Sequence, residues 1–161
     1  MLVTMWGMVG TVVFWLLWPL WIIYFKFSNT RSRVLVVVDN EVLVVVGWLG
    51  NKKLSLPGGG VKRRESTLAS AIRELREETG IAAVESNTKA LGVKKHDRYG
   101  FKYKEEYFVL QLFAKPKLIL GKPEILSAHW ISLNSEANTK LGEDTIYALK
   151  RYRPLEQASL L

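Results

Sequence analysis

Hydrophobic positions dominate the first twenty-five residues, from Met1 to Phe25, and no charge appears among them. At about 1.5 Å rise per residue, a helix of that length reaches roughly 37 Å, enough for a hydrocarbon core of about 30 Å. The pattern predicts one N-terminal transmembrane helix over 1–25. Trp6 lies near one end, and Trp18, Trp21 and Tyr24 near the other, where aromatic rings favour the headgroup boundary. Pro19 is tolerated in such a span. A helix buried in protein is one alternative, and a cleaved signal peptide is another, but there is no basic n-region, the apolar stretch is too long, and no small-residue cleavage site precedes the flank.

A linker is expected over 26–32, a folded domain over 33–155 and a tail over 156–161. Val34–Val38 and Val42–Val46 repeat Val-Leu-Val-Val-Val around Asp39-Asn40-Glu41, which predicts a β-hairpin. Neither run alternates, so both faces should be covered, as in a sheet between helices. Further strands are expected at Lys53–Leu56, Leu91–Lys95, Tyr107–Ala114 and Ile125–Leu133, with a turn around Arg98-Tyr99-Gly100. A helix is predicted over Ser66–Thr79, capped by Ser66 or Thr67 and ended by Gly80. Leu68, Ile72 and Leu75 form its core stripe. A last helix is predicted over Glu143–Tyr152, stopped at Pro154. This order suggests an α/β fold.

Charge sharpens the division. The net charge of +8 belongs entirely to residues 26–161. Lys26, Arg31 and Arg33 follow the apolar stretch, and no basic residue precedes it. The positive-inside rule then places the N-terminus outside and the domain in the cytoplasm. The absence of cysteine excludes disulfides, thiolate metal sites and a Cys nucleophile.

The candidate chemistry lies between Leu56 and Ile81. On the predicted helix, Glu74, Glu77 and Glu78 share a stripe roughly 100° wide. Like charges at those spacings weaken a helix by a few tenths of a kcal/mol per pair. A cation between them would reverse that, and hard oxygen donors suit Mg²⁺ or Mn²⁺. The plain alternative is a solvated acidic face paired with Arg73 and Arg76. Just upstream, Gly58-Gly59-Gly60 allows positive φ and close backbone approach to a ligand or metal, or is a simple turn.

Gly59, Glu65 and the run Arg73-Glu74-Leu75-Arg76-Glu77-Glu78-Thr79-Gly80-Ile81 fall at the spacing of the Nudix box, over Gly59–Ile81. Leu56-Pro57-Gly58 resembles its usual lead-in. Weaker similarity extends over roughly Arg33–Tyr152, including Trp130-Ile131-Ser132-Leu133. The resemblance implies a Nudix-type α/β/α sandwich with a mixed sheet, and a hydrolase of nucleoside diphosphates linked to a further group. It implies Mg²⁺ or Mn²⁺ as cofactor. Glu77 and Glu78 would hold the metal, Glu74 would be ligand, general base or both, and Arg73 would orient Glu74. Glu65 would be a further ligand or electrostatic support. Gly58, Gly59 and Gly60 would meet the substrate, with the carbonyl of Gly58 or Gly59 a possible ligand. An extra base could come from Glu105, Glu106, Glu124, Glu143 or Asp144.

Lys62 and Arg64 stand where the family often has an acidic residue and a glycine. With Lys52, Lys53 and Arg63 they make the loop basic, suited to phosphates, anionic headgroups or plain solvation. Residues 89–104 mix Lys, Arg and aromatics, which fits base stacking or an ordinary charged hairpin. His96 and His129 have no partner at metal-binding spacing. The expected partners are a nucleotide-diphosphate small molecule, capped RNA among the options, and a membrane through the N-terminal helix. The alternative function is a catalytically silent domain that binds a nucleotide or phosphorylated lipid at the membrane.

Overall fold

The computed structural model describes residues 29–48, 52–98, 101–121, 123–134 and 140–159. The expected membrane span over 1–25 lies outside them, and no helix among the described residues is long and apolar enough to cross a membrane.

Five strands form one mixed sheet: β1 Thr30–Val38, β2 Glu41–Gly47, β3 Thr88–Arg98, β4 Phe101–Leu112 and β5 Ile125–Ser132. Their order across the sheet is β3-β4-β1-β2-β5. β1 and β4 run parallel, and the other pairs run antiparallel. The helices are α1, Thr67–Thr79, and α2, Glu143–Ser159. The two valine-rich runs are covered on both faces, as their lack of alternation requires. Val34, Val36 and Leu43 pack with Ala71 and Leu75 of α1. Leu35, Val37 and Val42 pack on the other face with Ala148, Leu149 and Tyr152 of α2.

Several elements differ from the sequence expectation. Lys53–Leu56 is no strand: it makes only isolated bridges, Ser55 to Val45 and Leu54 to Leu141. The β3–β4 hairpin is longer than its apolar cores, because cross-strand pairing carries on through the polar ends. β4 ends at Leu112 rather than Ala114. α2 continues past Pro154 to Ser159. A proline removes one hydrogen bond within a helix and does not always stop it. Ile72 is only half-buried and lines a groove with Arg73 and Arg76, whereas Ala71 is fully buried beside Leu75.

One departure from a regular sheet positions the site. β1 and β2 pair directly only near their turn, at Val37 to Val42 and Val38 to Glu41. Beyond that they diverge, and the Pro57–Val61 segment takes the freed edge of β1. Val34 N donates to Pro57 O at 2.9 Å, Ser32 N to Gly59 O at 3.0 Å, and Val61 N to Thr30 O at 3.2 Å. The glycine loop is thus hydrogen-bonded into the sheet as a short inserted edge.

Candidate functional site

α1 begins where this loop ends. Ser66 caps it by accepting from Ala69 N at 3.0 Å, and Gly80 closes it in the left-handed conformation, its amide bonded to Arg76 O. Ser70 is buried between loop and sheet. Its hydroxyl accepts from Ser32 Oγ and donates to Gly60 O, each at 3.2 Å. These contacts set α1 so that its carboxylate stripe faces the glycines.

The glycines fit closely. A Cβ on Gly58, where φ is +144°, would lie 2.1 Å from Ser32 O. On Gly59 it would lie 2.5 Å from the Glu74 carboxyl carbon. Only a bare backbone lets the strand approach one and the carboxylate lie over the other. Gly58 N donates to Glu78 at 2.9 Å.

Arg73 is the hub of the cluster. Its Nε and Nη2 hold both oxygens of Glu65, at 2.8 and 3.0 Å. Nη1 donates to Glu74 at 2.7 Å and to Glu77 at 3.0 Å, and Nη2 to Gly60 O at 3.1 Å. Arg73 hydrogen bonds, joined by the Lys62 amide, hold Glu65 well below the usual carboxylate range, at about 2. Glu78 goes the other way: burial raises it to about 7, against the Gly58 amide and Arg33, with Glu74 and Glu124 adding to the rise. Glu77 is half exposed and lies 3.8 Å from Lys62.

The four expected carboxylates are therefore brought together around Arg73 and the glycine loop. Among the described residues no three carboxylate or imidazole groups converge directly on one point, since the guanidinium stands between them. The donor chemistry suits a hard divalent cation: a buried carboxylate that resists ionisation, two more on the same stripe, and a loop without side chains over them. The loop carbonyls already accept hydrogen bonds, Gly58 O from Arg33 at 2.9 Å and Gly59 O from Ser32 N.

Arg33 has a role that sequence reasoning did not reach. It is among the cations that follow the apolar stretch and also the first residue of the expected domain. It lies in β1, its guanidinium in the interior, donating to Leu56 O at 3.1 Å as well as to Gly58 O. Glu105 and Asp144 stand 3.5 and 3.8 Å from it. Arg31, Arg33, Leu35 and Val37 alternate along β1, so a cation on a core stripe was the available signal.

That network sorts the five candidate extra bases. Glu105 is buried among Arg33, His96 at 2.9 Å and the Tyr107 hydroxyl at 2.7 Å. Asp144 accepts from Leu56 N at 2.8 Å. Glu106 accepts from Thr67 and Lys104, and exposed Glu143 faces Lys94 at 3.6 Å. Glu124 is the one among these five whose charge bears on Glu78. A cavity of about 140 Å³ beside Glu78 is walled by Arg33, Lys52, Lys53, Ser55 and Ile125. Its cationic wall suits phosphate, and its size falls well short of a nucleoside site. His96 stacks on Tyr103 at 4.5 Å, and Arg31 lies over that tyrosine, so these hairpin aromatics pack on their own neighbours. His129 is exposed, and its ring nitrogen meets the Ser127 hydroxyl.

A family model described as the NUDIX domain matches residues 28–152. The chain belongs to the Nudix family. Membership, with the carboxylate set complete, makes it a Nudix hydrolase. Among solved structures, it is similar to a MutT Nudix hydrolase from Burkholderia pseudomallei, at 22% identity and TM-score 0.67 over 76% of this chain and 95% of that one. It is similar to an Ap4A hydrolase binary complex from C. elegans, at 15% identity and TM-score 0.67 over 80% and 98%. It is also similar to the Nudix domain of Shewanella oneidensis NrtR complexed with ADP ribose, at 14% identity and TM-score 0.67 over 78% and 86%. At such identities the likeness is one of fold. No protein of curated function matches the sequence.

Proposed function

We propose that this Nudix hydrolase cleaves the diphosphate linkage of a nucleoside diphosphate-X substrate with Mg²⁺ or Mn²⁺. We further propose that residues 1–25 hold it at the cytoplasmic face of a membrane, with the N-terminus outside. One observation carries the chemical reading: Glu74, Glu77 and Glu78 line one stripe of α1 against a glycine loop built into the sheet edge. Two structural neighbours agree with it: one is an Ap4A hydrolase and the other is complexed with ADP ribose, and both molecules are nucleotides.

Glu77 and Glu78 would hold the metal, with Glu74 beside them. A divalent ion held there would supply charge neutralisation at the substrate phosphates and Lewis acidity towards water. The chain's own groups do the rest. Arg73 fixes the Glu74 carboxylate over Gly59, where an Oε can take the proton of the attacking water. Glu65 is already saturated by Arg73 and the Lys62 amide, which gives it a supporting place. Lys52, Lys53 and Arg33 wall the adjoining cavity and would bind phosphate oxygens.

Direct metal titration tests this reading. Mn²⁺ added to the full chain should bind, by electron paramagnetic resonance, and Glu77→Gln or Glu78→Gln should weaken it by about tenfold or more. Equal Mn²⁺ affinity in all three proteins would remove the reading.

A further inference from the structure

A group of exposed basic residues lies at one end of the sheet. β1 starts there and β2 finishes there, and so β3 finishes and β4 starts there as well. The register sets Thr30 beside Lys104, Lys104 opposite Lys95, and Lys102 opposite Asp97 further out. Gly60 bridges to Arg31, so the Lys62-Arg63-Arg64 turn leaves the sheet at this same end. Like charges directly opposite on neighbouring strands are destabilising, so the Lys95–Lys104 pairing costs the fold something. Glu106 offsets Lys104, and Glu77 offsets Lys62. Lys52, Arg63, Arg64, Lys95 and Lys102 are exposed and enter no ion pair among the described residues. The opposite end carries Asp39, Glu85, Lys89 and a Glu41–Lys115 ion pair.

Two further facts belong to the basic end. Trp48 follows β2 there and is 59% exposed. The uncharged stretch ends at Phe25, and the five Cα steps from it to Thr30 span at most about 18 Å. The glycine loop and the carboxylate stripe open beside this end.

We infer that the basic end of the domain docks on anionic lipid headgroups, with Trp48 at the boundary, so that the hydrolase site faces the membrane surface. This rests on the proposed tether, which brings the end close. Attraction to an anionic leaflet fades within a Debye length of about 8 Å, so a basic cluster elsewhere on the domain would gain little. A nucleic-acid face would use the same charges. The short reach from an apolar stretch and the exposed Trp48 favour lipid.

The cysteine-free chain permits a direct test. Arg63→Cys, at the basic end, and Ser86→Cys, exposed at the opposite end, each carry one fluorophore on the full chain. The chain is mixed with vesicles of phosphatidylcholine alone or with added phosphatidylserine, each doped with a headgroup-nitroxide lipid. Quenching should be stronger at Arg63→Cys, and the contrast should grow about threefold with phosphatidylserine. It should collapse when Lys52, Arg64 and Lys95 are replaced by Glu. Flotation separates the two readings. A chain that floats with neutral vesicles but shows the same contrast in both lipids keeps its tether and loses the docking face. A chain that floats only with anionic vesicles, with the contrast present, loses the tether and keeps the face. Flotation with neither loses both. Protection of the Arg63→Cys label by a single-stranded oligonucleotide, with no response to lipid charge, also overturns the inference, in favour of nucleic acid.

Discussion

Glu78 and Glu65 belong to one cluster and titrate in opposite directions, which gives each a different pH signature. The folded state raises Glu78 from 4.5 to about 7 through burial. A raised pKa contributes stability that is full below the unfolded value and is lost as pH rises through the folded one. The metal-free protein should therefore lose about 3 kcal/mol between pH 4.5 and 8 from this group alone. Glu78→Gln removes that loss, so its urea midpoint in chelator should exceed wild type at pH 8 and match it near pH 4.5, while hydrolysis disappears. Glu65 is lowered to about 2, so its contribution is full above 4.5 and is lost as pH falls towards 2. The two glycines should also part company. At Gly58 an added Cβ meets backbone at a positive φ, so Gly58→Ala should lower stability by about 2 kcal/mol or more in thermal melts. At Gly59 it meets only the end of the Glu74 side chain, which can swing away. Gly59→Ala should keep its melting temperature and lose activity by about 10²-fold, because Glu74 is displaced.

Among the elements, α1 was the most readable, because its signals are local. Ser66, Gly80 and the carboxylate stripe all follow from spacing within one helix, and Ser66→Ala should cost about 1 kcal/mol. The polar halves of β3 and β4 were not readable: cross-strand hydrogen bonds extend them where apolar residues have stopped. Lys53–Leu56 is β-branched-poor and only bridges its neighbours, which no local pattern distinguishes from a short strand. The burial of Arg33 was hidden for a similar reason. Its partners Glu105 and Asp144 come from β4 and α2, distant in sequence, so its burial is visible only once the sheet is assembled. Arg33→Met should destabilise by about 3–5 kcal/mol, measured by urea denaturation, because it leaves two buried carboxylates without their cation. Arg33→Lys should recover part of this, without the paired contacts to Leu56 O and Gly58 O.

For the whole molecule, the fold class followed from the order of strands and helices together with the Nudix box, and the family match agrees. The carboxylate core of the site was equally accessible, since one helix and one loop supply it. Substrate choice was not, because the cavity beside Glu78 draws its walls from β1, β2, β5 and the segment before the glycines. The central claim is metal-dependent cleavage by the α1 carboxylates. Its most direct test is hydrolysis by the detergent-solubilised full chain over a panel of soluble and lipid-linked diphosphates, with Mg²⁺ or with chelator, beside Glu77→Gln. The account predicts cleavage that requires metal and falls by about 10²-fold or more in the variant. Cleavage that persists in chelator, or that Glu77→Gln leaves intact, would contradict it.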